Sequence, residues 1–130
     1  MGQVASLFIE YIAPSTNAMY AGQHWTARKK HKAAADTAVM IALHSGKPKY
    51  KFINPVMIEI QPVLGKGKRG YDVSNYSYTF KLIEDCLVAR GVLRGDTPDF
   101  VKAVRFSSPE RGEKTGVKIV ISEYPEISNA

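Results

Sequence analysis

The stretch KGKRGYDVSNYSYTFKLIEDCLVARGVLRGDTP, residues 66–98, decides the fold that the sequence predicts. It opens with a basic loop broken by glycines, continues with a predicted helix from about Ser74 to Ala89, and closes that helix at Gly91. On a period of 3.6 residues, one stripe of the helix is apolar and must face a sheet: Tyr76, Phe80, Ile83 and Leu87. The helix is therefore predicted to pack on a sheet.

A second stripe of the same helix is polar and follows the spacing i, i+4, i+7, i+11: Ser74, Tyr78, Lys81 and Asp85. Each acid in the stretch has an ordinary structural explanation. Asp72 is placed to cap the helix, Asp85 pairs with Lys81 four residues earlier, and Asp96 lies in a Gly-Asp-Thr-Pro turn. Together, however, they supply what a magnesium site acting on a phosphodiester needs, which is carboxylates for the ion and a lysine for the developing charge.

The rest of the chain is predicted to form four strands and one further helix. Strands are expected over residues 4–12, 53–63, 100–106 and 116–122, and a long helix over residues 26–43. The order strand, helix, strand, helix, strand, strand predicts an α+β fold: a single small domain over residues 1–130, with a mixed four-stranded sheet and two main helices packed on it. The core is expected over about residues 4–123, with a frayed tail at residues 124–130.

Composition narrows the class of protein. Eighteen Lys and Arg residues against 12 Asp and Glu give a net charge of +6, which favours a phosphate-rich or acidic partner. The single cysteine, Cys86, excludes an intramolecular disulfide and a zinc site built from cysteines, and it fits a cytoplasmic setting. Because no apolar run reaches about 18 residues and no signal peptide is recognisable, no contact with a membrane is expected.

A family resemblance joins these features. The residues Asp72-Val-Ser-Asn75, the helical segment KLIEDCLV at 81–88 and the turn GDTP at 95–98 resemble the core of the RusA family of Holliday junction resolvases. The upstream segment PSTN at 14–17, followed by a basic helix, is similar to the N-terminal element of that family. The resemblance covers about residues 9–122 and rests on short motifs in the right order.

The resemblance implies a RusA-like fold and a homodimeric endodeoxyribonuclease that depends on Mg²⁺, with Mn²⁺ as a possible substitute. Such an enzyme binds four-way DNA junctions in recombination and repair and resolves them by paired symmetric nicks, in the cytoplasm of a bacterial or phage-infected cell. Carried over by position, Asp72 and Asp96 are the metal ligands, and the catalytic set is Asp72, Asp96, Lys81 and Asp85. Two positions depart from the family pattern, because Ser74 and Gly95 stand where the family has acids.

Contacts to DNA are expected from polar and basic residues in three segments. The expected set is Asn17, Arg28, Lys29, Lys30, Lys66, Lys68, Arg69 and Asn75. Tyr20, Trp25 and Tyr71 are candidates for stacking on exposed bases at a branch point, although aromatic residues near loops more often cover a core.

Two alternatives to the nuclease stay open at this stage. The first is a protein that binds branched DNA but cleaves it weakly or not at all, because Ser74 and Gly95 replace family acids. The second is a generic basic α+β module that binds RNA or a protein partner.

Overall fold

The structure is a computed structural model that describes residues 3–21, 25–45 and 50–124. The strands are β1 (Val4–Ile9), β2 (Val56–Leu64), β3 (Val101–Phe106), β4 (Glu110–Arg111) and β5 (Gly116–Glu123). The α-helices are α1 (Thr16–Tyr20), α2 (Trp25–Leu43) and α3 (Ser77–Ala89), and a 3-10 helix over Val73–Tyr76 leads into α3. The tail predicted to fray was residues 124–130. Tyr124 is instead held by a hydrogen bond from its backbone N–H to the Pro55 carbonyl at 2.8 Å, and residues 125–130 lie outside the described residues.

One mixed sheet forms the base of the domain. Its strands run in the order β1-β5-β2-β3, with β5 antiparallel to both β1 and β2, and with β3 parallel to β2. The short strand β4 pairs in parallel with the end of β2, at Val63 and Leu64. The prediction of a single small α+β domain with a mixed sheet is thus confirmed, but the sheet has five strands rather than four.

The core lies between the sheet and the helices. Alternate residues of β2 and β5 point into it, including Ile58, Ile60, Ile119 and Ile121, which are all almost completely buried. The predicted apolar stripe of α3 is confirmed, since Tyr76, Phe80, Ile83 and Leu87 are buried. α2 adds Ala35 and Val39 to the same core, so the sheet and both long helices bury one common apolar interior.

Two local features differ from the sequence prediction. No helix was predicted between the first strand and the long helix, yet Thr16–Tyr20 form α1, with the Ser15 hydroxyl accepting a hydrogen bond from the Ala18 backbone N–H at 3.1 Å. The helix expected from Ser74 starts as the 3-10 helix and becomes α-helical only at Ser77. Ser74 therefore precedes α3 rather than lying within it.

α2 and α3 are also joined by an ion pair. The Arg90 guanidinium donates two hydrogen bonds to the Asp36 carboxylate, at 2.9 and 2.8 Å. None of the helices in the described part of the chain is long and apolar enough to cross a membrane.

Candidate active site

The exposed side of α3 carries Lys81 and Asp85. Because the apolar stripe fixes the opposite side of the helix on the sheet, these two residues project outward, and their side chains are 55% and 41% exposed. The Lys81 Nζ atom lies 3.2 Å from Asp85 Oδ1, as the i, i+4 spacing allows, and 3.4 Å from Glu84 Oε1. The lysine therefore leans toward the C-terminal end of the helix.

The chain reverses direction immediately after α3. Gly91 has a φ of +78°, and the Val92 backbone N–H donates to the Leu87 carbonyl at 2.9 Å. This is the pattern of a Schellman cap, in which glycine takes the left-handed conformation without steric cost. Val92 and Leu93 are then buried, and the Phe52 backbone N–H donates to the Val92 carbonyl. These contacts return residues 94–99 alongside the helix.

The reversal places Asp96 on Lys81. The Lys81 Nζ atom donates a hydrogen bond to Asp96 Oδ2 at 2.9 Å, although the two residues are 15 positions apart in sequence. Asp96 is joined there by Glu84 and Asp85, since one carboxylate oxygen from each of the three acids lies within 4.8 Å of the others. We call Lys81, Glu84, Asp85 and Asp96 the lysine-acid cluster.

The short contacts within the cluster shift the pKa values of Lys81 and Asp96. The hydrogen bond to Asp96 is the largest cause that raises the pKa of Lys81, and the same contact lowers the pKa of Asp96. Glu84 behaves differently, because burial raises its pKa and the lysine offsets only part of that effect. Lys81 is thus held in its charged form beside three acids.

The cluster has the chemistry of a hard-cation site. When its groups are ionised, three carboxylates and one ammonium leave two negative charges in excess, which attracts a divalent cation. Carboxylate oxygens are the ligands that Mg²⁺ and Mn²⁺ prefer. The donor set therefore fits a divalent metal ion, although it does not distinguish one such ion from another.

Glu84 is the member of the cluster that the sequence analysis missed. Its side chain is only 8% exposed although it is an ionisable acid. The available signal was its position three residues after Lys81, on the same side of the helix. A buried acid that faces a lysine is uncommon in a surface helix and points to a specific use.

Asp72 lies outside the cluster. It occupies the cap position of the 3-10 helix, is exposed, and its carboxylate makes no capping hydrogen bond. From residue 72 to residue 85 the chain advances about 20 Å along the two consecutive helices, and Lys81 leans away from Asp72. The structure thus brings Lys81, Asp85 and Asp96 together, and it places Asp72 toward the other end of α3. Its expected role as a metal ligand stays a prediction.

Asn17 and Asn75 lie together near Asp72. The Asn75 Oδ1 atom accepts a hydrogen bond from the Asn17 backbone N–H at 3.2 Å. Thr16 strengthens this contact, because its hydroxyl donates to the Asn75 carbonyl and accepts from the Tyr78 backbone N–H at 3.0 Å. These polar groups hold α1 against the start of α3.

The basic residues expected to contact DNA lie on the surface. Arg28, Lys29 and Lys30 are exposed at the start of α2, where an Arg28 Nη2 donates to the Met19 carbonyl at 3.4 Å. Lys66, Lys68 and Arg69 are exposed on the loop that follows β2. Among the stacking candidates Tyr71 is half-buried, while the side chains of Tyr20 and Trp25 lie outside the described part of the molecule.

A scan of the sequence against protein-family models found no match, and a search of curated proteins found no relative.

Proposed function

We propose that the protein is a magnesium-dependent endodeoxyribonuclease that binds four-way DNA junctions and resolves them by paired symmetric nicks. The observation that carries the proposal is the lysine-acid cluster. It unites Lys81, Asp85 and Asp96, which are three of the four residues to which the family resemblance assigns catalysis. The long-range contact between Lys81 and Asp96 supports a shared role for them.

The chemistry of phosphodiester hydrolysis suits this arrangement. A bound Mg²⁺ would supply Lewis-acid stabilisation of the charge that develops on the phosphate. Glu84, Asp85 and Asp96 would furnish oxygen ligands, and the surplus negative charge of the cluster would favour the ion. The Lys81 ammonium, which stays protonated through the neutral range, would lie beside the phosphate and offset its negative charge.

The surface of the molecule also suits a polyanion. The net charge of +6 and the exposed lysines and arginines of two segments favour phosphate contacts, which set affinity and its salt dependence rather than sequence choice. Two symmetric nicks need two active sites, so the proposal includes a closed two-fold homodimer.

A second candidate is a protein that binds branched DNA with weak or no cleavage. It is favoured by a specific observation, because Asp72 lies outside the cluster while Lys81 already offsets part of the negative charge there. Under this reading the site lacks enough acids to hold a catalytic metal ion. At the cluster, the acid missing at Gly95, beside Asp96, would be the cause.

The test of the proposal is incubation of the purified protein with a labelled four-way junction in the presence of Mg²⁺, Mn²⁺ or EDTA, with binding and cleavage both resolved. The nuclease reading predicts symmetric nicks that require metal. Binding to the junction without nicks would favour the second candidate. Equal binding to a four-way junction and to linear duplex would contradict both.

A matched pair of variants separates the two candidates. Gly95 has open space around the position that a Cβ would take, so Gly95→Asp adds an acid beside Asp96 without a steric clash. If the cluster lacks acids, this change should raise cleavage. Ser74→Asp is the control, because it adds the same charge at the opposite end of α3.

A further inference from the structure

A small cavity lies beside the basic loop, away from the lysine-acid cluster. It has a volume of about 130 Å³ and is lined by Ile12, Leu64, Tyr71 and Tyr76 together with Lys68 and Arg69. A cavity of about 150 Å³ is known to hold a single benzene ring. The space is therefore suited to one aromatic ring with a charged group at its edge.

The aromatic wall of this cavity is held rigidly. The rings of Tyr71 and Tyr76 have centroids 4.9 Å apart at an interplanar angle of 31°. The Tyr71 hydroxyl donates to the Ala13 carbonyl at 3.2 Å, and the Tyr71 backbone N–H donates to the Tyr76 hydroxyl at 2.9 Å. Because both ends of Tyr71 are fixed, its ring would lose little conformational freedom on contact with a ligand.

The cationic edge is also preorganised. Arg111 Nη1 donates to the Lys68 carbonyl at 2.6 Å and to the Gly65 carbonyl at 3.3 Å, and the Gly65 N–H donates to the Thr115 hydroxyl at 2.9 Å. These bonds hold the loop backbone, while the side chains of Lys68 and Arg69 stay exposed. Neither side chain forms an ion pair with any residue in the described ranges.

An aromatic wall beside cations is the arrangement that proteins use for nucleotides in single strands, where the base stacks on the ring and the phosphate meets the cation. No acidic residue lines the cavity to oppose a phosphate. Fully paired bases are stacked within the duplex and cannot enter such a space. The ligand chemistry that fits is one unpaired nucleotide.

We propose that this cavity binds a single unpaired nucleotide of branched DNA, with its base against Tyr71 and its phosphate beside Lys68 and Arg69. The proposal rests on the proposed function, and it names the feature that the site would recognise there: a nucleotide that is unpaired at a branch point. It adds a recognition site that is separate from the lysine-acid cluster.

The test uses the full-length protein in EDTA, so that binding is measured without cleavage. Three labelled duplexes are compared by fluorescence anisotropy: one with a single unpaired thymine, one with an abasic nucleotide at the same place, and one fully paired. We expect the unpaired thymine to bind about tenfold more tightly than the abasic nucleotide, because only the base stacks. Equal affinity for these two duplexes would overturn the proposal without any variant being needed.

Variants locate the effect. Tyr71→Ala should abolish the preference for thymine over the abasic nucleotide, while Tyr71→Phe, which keeps the ring and loses the hydrogen bond to Ala13, should retain it. Preference that survives in a folded Tyr71→Ala protein would contradict the assignment. Lys68→Gln should weaken binding to both duplexes equally, because it removes only a phosphate contact.

Together with the cleavage assay on four-way junctions, this binding experiment distinguishes the nucleotide site from the nuclease proposal. Metal-dependent nicking of four-way junctions without any preference for the unpaired base would overturn the nucleotide site alone. Preference for the unpaired base without nicking would support the site and count against the nuclease. No binding to any of the DNA molecules would overturn both.

Discussion

The two ends of α3 use their polar residues in opposite ways. At the start of the helix, Thr16 and Asn75 direct their polar groups to nearby backbone and hydroxyl groups, which fixes α1 in place. At the other end, the Lys81 ammonium contacts the carboxylates of Asp96 and of two further acids, Glu84 and Asp85. Polar residues of one predicted motif therefore have two roles. Those at the start of α3 stabilise the fold, and those at its end bring ionisable groups together.

Removing an acid from each end of α3 in turn should change the rate of cleavage very differently. Asp96→Asn should lower cleavage of a four-way junction by at least about 100-fold while leaving junction binding intact, because the cluster loses an oxygen ligand and a charge. Asp72→Asn should lower cleavage much less, since Asp72 lies outside the cluster. The measurement is the single-turnover rate of nicking.

Asp99→Asn is the matched control, because Asp99 is exposed in the same turn and is not part of the cluster. Equal losses of nicking rate in the Asp72→Asn and Asp96→Asn variants would show that both ends of α3 belong to one active site, and they would contradict the prediction.

Removal of the lysine should separate metal binding from catalysis. Lys81→Met leaves Glu84, Asp85 and Asp96 without their ammonium, so we expect Mn²⁺ to bind more tightly, by about tenfold, as the competing positive charge disappears. Cleavage should nevertheless fall, because the phosphate loses its cation. Electron paramagnetic resonance of free Mn²⁺ measures the first effect, and the nicking assay measures the second. Unchanged Mn²⁺ affinity would show that the cluster is not the metal site.

Substitutions at the start of α3 should change the stability of the protein rather than its binding of metal. Thr16→Val keeps the shape of the side chain but removes its hydrogen bonds with Asn75, Ser77 and Tyr78, which should lower the free energy of unfolding by about 2 kcal/mol. Urea denaturation gives this value, and Thr16→Ser is the control that keeps the hydroxyl. The folded Thr16→Val protein should bind Mn²⁺ normally, and a parallel loss of Mn²⁺ binding would contradict the separation of the two ends.

The smallest effect is expected at the ion pair between α2 and α3. The hydrogen bond from Arg90 holds the pKa of Asp36 below its usual value of 3.8. A carboxylate whose pKa is lowered by folding stabilises the fold above its unfolded pKa, and this contribution is lost as the pH falls through the folded pKa. Asp36→Asn should therefore cost a little stability at neutral pH and almost none well below pH 3.8.

Urea midpoints measured from neutral pH downward test this prediction for Asp36. Asp99→Asn is the control for the loss of one negative charge, because Asp99 forms no ion pair with any residue of the described ranges. A difference between Asp36→Asn and the wild type that persists to the lowest pH would show that the pair stabilises the fold through packing rather than through charge.

Most of the fold follows from local sequence patterns. The stripe Tyr76, Phe80, Ile83 and Leu87 identified the buried side of α3, since a period of 3.6 leaves little choice of face. The strands were found from their β-branched residues. The exceptions are short elements. α1 has five residues and is held by contacts of its first residue, Thr16, with residues near the start of α3, and β4 has two residues defined only by pairing with β2. Neither carries enough local signal to be predicted.

The candidate site was predictable only in part. The spacing of Lys81 and Asp85 placed them on one face, but their meeting with Asp96 depends on the reversal at Gly91 and on the burial of Val92. Such contacts are set by tertiary packing, which residue spacing does not report. Glu84 was missed because a glutamate in a helix is usually exposed, and its burial is likewise set by tertiary packing.

We propose that a divalent cation binds at the lysine-acid cluster rather than at the Asp72 end of α3. The most direct test is titration of Mn²⁺ into the wild type and into the Asp96→Asn and Asp72→Asn variants, with electron paramagnetic resonance as the readout. The account predicts that the wild type and Asp72→Asn bind Mn²⁺ alike and that Asp96→Asn loses most of that binding. A wild type that binds no Mn²⁺, or a loss confined to Asp72→Asn, would contradict it.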